Sequence, residues 1–290
     1  MDSKECFGFH VKKEKTLLAT VKKGKILQIY ISSPKGYTVD CDIGDIEAAR
    51  EYVDENKIKL FIHSSLTINI CGASKLEKDK RFLQKKQNSI SCLAKQMDVA
   101  SLLNAQLVVH SGSCVDKKRQ YEELCKNVKE AFTRKTKFDV DPKKRHMLLE
   151  NSAGEGNKLG STIQELADIL ACLPDDIAKR VDLVIDTAHI SGRGEYNLGT
   201  KEGIDSLYED IDRIIGIERV KLIHLNDSKV AFGSRIDRHA ALCQGTIWKD
   251  NIDTLKYFIE IFKGINMIGE PPRNVVNDFD LLKELGLIDF

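Results

Sequence analysis

Leu183-Val184-Ile185-Asp186 is a short run, apolar on both faces, that stops at a carboxylate. A run of this kind suits a strand buried on both sides of a parallel sheet better than an alternating antiparallel one. Seven further runs share its character: Cys6–His10, Ile26–Ile31, Lys59–His63, Leu107–His110, Met147–Glu150, Lys221–His224 and Asn266–Glu270. Between them lie helical patterns at Ile43–Asn56, Asp79–Leu103, Tyr121–Thr133, Thr162–Cys172, Ile204–Ile215, Ile252–Phe262 and Phe279–Leu285. Eight strands alternating with helices, with no linker or composition break, predict an α/β fold, a single (β/α)8 TIM barrel over residues 1–290. A doubly wound open sheet would carry a glycine-rich phosphate loop after its first strand; this chain has Gly8-Phe9-His10-Val11-Lys12 there.

Six of the eight runs end at His63, His110, Glu150, Asp186, His224 and Glu270, spaced 47, 40, 36, 38 and 46 residues apart. Each step is about one β/α unit. In a parallel barrel the C-terminal ends of all strands gather at one mouth, so six distant positions converge. His, Asp and Glu make up 51 of 290 residues, so random strand ends would rarely supply six. His189 follows Asp186 by three residues, and Asp237 precedes His239 by two. Asp186 at the end of its strand also suits a helix cap. Glu150 and Glu270, directly after apolar runs, need a cation or hydrogen bonds to offset desolvation. Imidazole with carboxylate suits Zn2+, and also Mn2+ or Fe2+. Nine such ligands exceed one ion, which implies two or three close ions. Clustered ions acidify water and stabilise a pentavalent phosphate, pointing to phosphoester hydrolysis; sugar isomerisation is the other common use of such a mouth.

Composition narrows the classes. Lys+Arg number 45 and Asp+Glu 44, a net charge of +1, which excludes a uniformly basic nucleic-acid binder. No apolar stretch is long enough to span a bilayer. Met1-Asp2-Ser3-Lys4-Glu5 lacks the apolar core of a signal peptide, and the eight irregularly spaced cysteines contain no C-x-x-C. A cytosolic protein with unreactive thiols and no membrane partner is expected. Lys75–Lys86 reads as a solvated helix face, and Lys135–Arg145, preceding a strand, belongs at the bottom of the barrel.

His224-Leu-Asn226-Asp227-Ser228-Lys229 and Gly233-Ser234-Arg235-Ile-Asp237-Arg238-His239 resemble the H-x-N-D-S-K and G-S-x-x-D-R-H signatures of the endonuclease IV type of apurinic/apyrimidinic endonuclease. Asp186-Thr187-Ala188-His189 is similar to D-T-x-H. Glu150-Asn151-Ser152-Ala153-Gly154-Glu155-Gly156 is similar to E-N-T-A-G-x-G, His110-Ser-Gly112-Ser113 to H-P-G-S, and Gly8-Phe9-His10-Val11 to G-x-H-V. The resemblance implies a trimetal TIM barrel holding three Zn2+, with Mn2+ or Fe2+ as alternatives at one site. His63, His110 and Glu150 would hold one ion, with Glu150 bridging to a second completed by Asp186, His224 and Glu270. His189, Asp237 and His239 would hold the third. It further implies a monomer that cuts duplex DNA 5′ to abasic sites, leaving a 3′-hydroxyl and a 5′-deoxyribose phosphate. A metal-bridging hydroxide would attack phosphorus with Glu150 steering it, while the third ion stabilises the leaving oxygen.

The chain departs from the family around the DNA. Many members read A-P-Y-x-x-N after the first ligand histidine; here Ser64-Ser65-Leu66-Thr67-Ile68-Asn69 puts Leu66 in place of the tyrosine. An apolar wedge fills a gap in the base stack without aromatic stacking. Ser32-Ser33-Pro34-Lys35-Gly36-Tyr37 lacks the Arg/Gln/Trp-rich wedge of bacterial members, and I-G-x-G-x-I-G has become Leu242-Cys243-Gln244-Gly245-Thr246-Ile247-Trp248. These loops look more like members from large DNA viruses. His10, Lys35, Leu66, Asn69, Lys229 and Arg238 are the candidate DNA contacts. The competing readings are a sugar isomerase or epimerase of the xylose isomerase-like barrel, which normally needs one or two ions, and a catalytically inactive binder of damaged DNA.

Overall fold

The apolar runs form strands almost where the pattern places them. The computed structural model describes residues 6–72, 79–270 and 275–286, so the opening residues 1–5, and Lys75 and Lys78 of the charged stretch, lie outside the described residues. The strands are β1 Phe7–His10, β2 Ile26–Ile29, β3 Lys59–His63, β4 Gln106–His110, β5 Met147–Glu150, β6 Val181–Asp186, β7 Val220–His224, the two-residue β8 Asp227–Ser228 and β9 His239–Ala240, and β10 Asn266–Gly269. All neighbours in the order β1-β10-β7-β6-β5-β4-β3-β2 are parallel and the ring closes, giving the expected eight-stranded barrel. β8 and β9 pair separately as an antiparallel ribbon after β7.

Period two along each strand builds the inside. Ile26, Phe61, Val108, Leu148, Val184, Leu222 and Ile268, one from each of β2 to β7 and β10, form their own buried cluster. Each burial is worth about 1.5–3 kcal/mol relative to exposure. β1 contributes Gly8, where a Cβ would lie 2.2 Å from the Ile26 carbonyl oxygen. Two residues further along, hence on the same inward face, come His10, Gln28, His63, His110, Glu150, Asp186, His224 and Glu270. The apolar plug is therefore the floor of the candidate site. A slip of register between Leu183 and Val184 sets Asp186 opposite His224.

The helices are α1 Leu17–Val21, α2 Ile43–Glu55, α3 Lys80–Leu102, α4 Gln120–Thr133, α5 Ile163–Cys172, α6 Asp175–Ala178, α7 Thr187–Arg193, α8 Lys201–Ile214, α9 Ile252–Ile261 and α10 Val275–Glu284. α8 starts three residues before the expected Ile204 because the Thr200 side chain caps it, accepting from the Gly203 N–H. α10 begins at Val275 rather than Phe279. Among the described residues no helix is long and apolar enough to cross a membrane. One expectation about the cysteines fails: Cys125 of α4 and Cys172 of α5 form a disulfide. The two helices lie side by side and bring these Cα atoms to 6.2 Å, within bridging range.

Candidate metal centre

All nine sequence-expected ligands meet at the mouth. Glu150, 1% exposed, stands at the centre. Its Oε2 faces His63 Nε2 and His110 Nε2, both at 3.4 Å, and its Oε1 lies 2.9 Å from His224 Nδ1. His224 Nδ1 also sees Glu270 Oε2 at 3.2 Å and Asp186 Oδ2 at 3.9 Å. On the far side, Asp237 reaches His189 Nε2 and His239 Nε2 at 3.2 Å each, and Asp186 Oδ2 lies 3.6 Å from His239 Nε2. Three groups of converging ligand atoms result: His63, His110 and Glu150; Glu150, Asp186, His224 and Glu270; and Asp186, His189 and His239. Asp237 joins the last.

Outer partners aim these atoms. The ring nitrogens of His63, His189 and His239 that face away from the cup lie 2.8, 2.9 and 3.4 Å from the carbonyls of Ser64, Asn151 and Glu270. A carbonyl only accepts, so each Nδ1 carries a proton, and once the ring is neutral each Nε2 is left with a lone pair. Asp186 caps α7 as foreseen, its Oδ1 accepting from the His189 N–H at 2.9 Å, and its Oδ2 faces the site. Asn226 Nδ2 donates to Asp186 Oδ2 at 2.6 Å, and its Oδ1 accepts from the Glu270 N–H at 2.9 Å. Asp227 accepts from the N–H groups of Ser228, Gly245 and Ile247, folding the ribbon back over the mouth.

Glu150 Oε2, His189 Nε2 and His239 Nε2 are buried with no hydrogen-bond partner. Orphaned buried lone pairs aimed at one another are what a divalent cation satisfies, so the residues fit metal ions. Without ions the charges compensate by protonation. Burial opposes charge on His189, yet Asp186, Asp237 and Glu150 outweigh it and push its pKa up to about 10. Burial is likewise outweighed at His224 by Glu270 and Glu150, and at His239 by Asp186 and Asp237; both rise to about 9. His110 falls to about 4, chiefly through burial, and needs no deprotonation to ligate. Despite burial, the surrounding imidazoles hold Glu150, Glu270 and Asp237 well below the carboxylate range. Ligation needs neutral imidazoles, so loading the metal-free protein at pH 7 should release about three protons and affinity should weaken as pH falls. Calorimetry in buffers of different ionisation enthalpy measures this; loading without proton release would contradict the assignment.

A model of the xylose isomerase-like TIM barrel family matches residues 29–285. A probable endonuclease 4 from Halothermothrix orenii is 32% identical over 232 residues, covering 79% of this chain and 78% of the relative. The chain belongs to the endonuclease IV family. A putative endonuclease 4 from Acanthamoeba polyphaga mimivirus is 29% identical over 261 residues, 87% of this chain and 79% of that one. The crystal structure of endonuclease IV from Thermus thermophilus superposes with a TM-score of 0.77 at 27% identity, covering 97% of each chain. Sugar epimerases sharing the barrel are 17% identical or less and establish the fold alone. Family membership and the ligand clusters together make this a metal-dependent centre.

The candidate DNA contacts of this endonuclease IV homologue fall into two groups. His10 lies in the cup, 3.2 Å from Glu270 Oε1, and Leu66 lines the cup while 55% exposed. Lys35 is exposed on the loop after β2, which the loop after β3 grips through the Leu66 N–H to Pro34 carbonyl bond. Lys229 and Arg238 are exposed on facing rungs beyond the ribbon, the Lys229 N–H donating to the Arg238 carbonyl at 2.8 Å. Asn69 spends its carboxamide on the protein, donating to the Ser113 carbonyl and accepting from the Gly72 and Ser113 N–H groups. Sequence reasoning missed Gln28 and Tyr30 of the β2 run and the roles of Asn151, Asn226 and Glu155. Glu155 Oε1 accepts from the Asp237 N–H at 2.8 Å and so anchors that ligand.

Proposed function

We propose that the chain hydrolyses the phosphodiester 5′ to abasic sites in duplex DNA, leaving a 3′-hydroxyl and a 5′-deoxyribose phosphate, with three ions at the mouth. The observation that carries this reading is the single buried carboxylate of Glu150, whose two oxygens face two different groups of ligands. A DNA-cleaving repair hydrolase of the endonuclease IV type is the coarser statement that the endonuclease relatives support. His63, His110 and Glu150 are assigned to one ion, Glu150, Asp186, His224 and Glu270 to the second, and His189, Asp237 and His239 to the third. Zn2+ fits these nitrogen and oxygen donors, with Mn2+ or Fe2+ as alternatives at one position. Bound, such ions supply an activated water near neutral pH and stabilise charge on the phosphate and the departing oxygen. Glu150 holds the two nearer groups in register and orients the nucleophile. Lys35, Lys229 and Arg238 hold the DNA backbone outside the cup, and Leu66 stands at its rim where the gap in the base stack falls. Every ligand comes from one chain, so a monomer suffices.

The test is incision of a duplex with one tetrahydrofuran abasic analogue, beside the same duplex undamaged. Cleavage confined to the analogue is expected. Equal cleavage of both, or none after metal reconstitution, rejects the proposal. Elemental analysis giving one ion per chain would favour a sugar isomerase or epimerase instead, because the third ligand group would then lack a purpose.

A further inference from the structure

Gln28 is fully buried at the inward face of β2, level with the ligands, and the hydrogen bonds of its carboxamide all go to side chains. Instead it spans two ligands from opposite directions. Its Nε2 lies 2.5 Å from Glu270 Oε1 and 3.0 Å from His10 Nδ1, and its Oε1 lies 2.8 Å from His224 Nε2. The carboxylate settles which end is which: Glu270 can only accept, so the amide nitrogen must face it and the amide oxygen must face His224. His224 Nε2 therefore carries the proton and donates it to Gln28. In the neutral imidazole that ligation requires, Nδ1 is then the nitrogen with the free lone pair, the atom that Glu150, Asp186 and Glu270 surround. The bond to Glu270 Oε1 likewise turns Oε2 toward His224 Nδ1, at 3.2 Å.

We infer that Gln28 is a positioning residue for the second ion, selecting the nitrogen that His224 presents and the oxygen that Glu270 presents. No other described residue of the cup touches the outward ends of both ligands. β2 is also the strand whose inward mouth position carries neither His nor a carboxylate, so it supplies the brace while β7 and the end of β10 supply the two ligands it holds. An amide fits this post because it is uncharged and offers a donor and an acceptor at once. A carboxylate would repel Glu270, and a histidine would add a rival ligand. A brace of this kind is worth roughly 10–100-fold in metal affinity.

The inference rests on the multi-ion reading of the mouth, and the experiment separates the two. Parent protein, Gln28→Met and Gln28→Ala are stripped with chelator, reloaded with Zn2+, and compared by ions per chain, by zinc titration against a competing chelator, and by melting in both states. Both variants should bind one ion of the set about 10–100-fold more weakly. They should also gain less in melting temperature on loading than the parent does. The smaller alanine side chain covers the case in which methionine overpacks the barrel. Parent-like affinity in every step, with the stripped and loaded forms destabilised alike, would make Gln28 a core residue and overturn the inference. Failure of the parent itself to bind more than one ion would instead reject the multi-ion reading, and the inference with it.

Discussion

Glu150→Gln is expected to abolish incision, lowering kcat by about 10³-fold or more, while binding to an abasic duplex persists. The substitution keeps the shape of a side chain that is 1% exposed, so packing on Leu148 and the plug is preserved. It removes the one negative charge whose oxygens face His63 and His110 on one side and His224 on the other. It also turns an acceptor into a donor aimed at ligand nitrogens or at a cation, so the two nearer groups lose what they share. Binding should survive because the proposed backbone contacts, Lys35, Lys229 and Arg238, stand on exposed loops outside the cup and are untouched by the exchange. Single-turnover incision and fluorescence anisotropy with a labelled abasic duplex measure the two quantities separately. Incision at the parent rate would mean that Glu150 neither joins the ion sites nor orients the nucleophile; loss of binding together with incision would place the defect in folding or in DNA contact.

The barrel and its candidate ligands were legible because one physical rule writes both into the chain. A parallel strand buried on two faces reads as a short apolar run, and its inward C-terminal residue is the first that can leave the plug and meet solvent. In β3 to β7 the inward residue after the plug is His or a carboxylate, so ending the apolar run and reaching the site coincide. On β2 they do not coincide. Ile26-Leu27-Gln28-Ile29-Tyr30-Ile31 stays largely apolar past the mouth, and a neutral amide inside it resembles a tolerated polar residue. Counting two on from Ile26 is the signal that finds Gln28, and it needs the register that closure of the barrel supplies. Asn151 and Asn226 stood within recognised motifs, yet their partners are 35 to 44 residues away and only the fold shows what they hold. α7 escaped because seven residues ending in Ser191-Gly192-Arg193 carry no apolar period; its cap, Asp186, was the one sign of it. The Cys125–Cys172 bond depends on two helices lying side by side, which no spacing along the chain encodes.

Arg145→Ala should cost about 3–5 kcal/mol of stability, far from the mouth. Arg145 closes the charged stretch that precedes β5, and it is the member of that stretch which is not solvated: it is 1% exposed and its partner Asp98 of α3 is 0% exposed. The guanidinium grips Asp98 in a fork, Nε to Oδ1 at 2.7 Å and Nη2 to Oδ2 at 2.9 Å. Nη1 donates to the carbonyls of Ala131 and Phe132 at 2.8 and 3.0 Å, satisfying two acceptors in the last turn of α4 that have no partner within the helix. One side chain thus ties α3, α4 and the start of β5 together. Alanine leaves Asp98 charged and buried, with only Thr136 Oγ1 still donating to it, and it frees two buried carbonyls. Lysine keeps the charge but not the fork, so Arg145→Lys should fall between the two. Replacing both partners with apolar residues of similar size should cost less than Arg145→Ala, since most of the penalty is the stranded carboxylate rather than the lost pair. Urea unfolding of the metal-stripped proteins gives the ordering. A loss below about 1 kcal/mol for Arg145→Ala would mean that water reaches Asp98 once the arginine is gone, and that the pair at the barrel's base is replaceable by solvent.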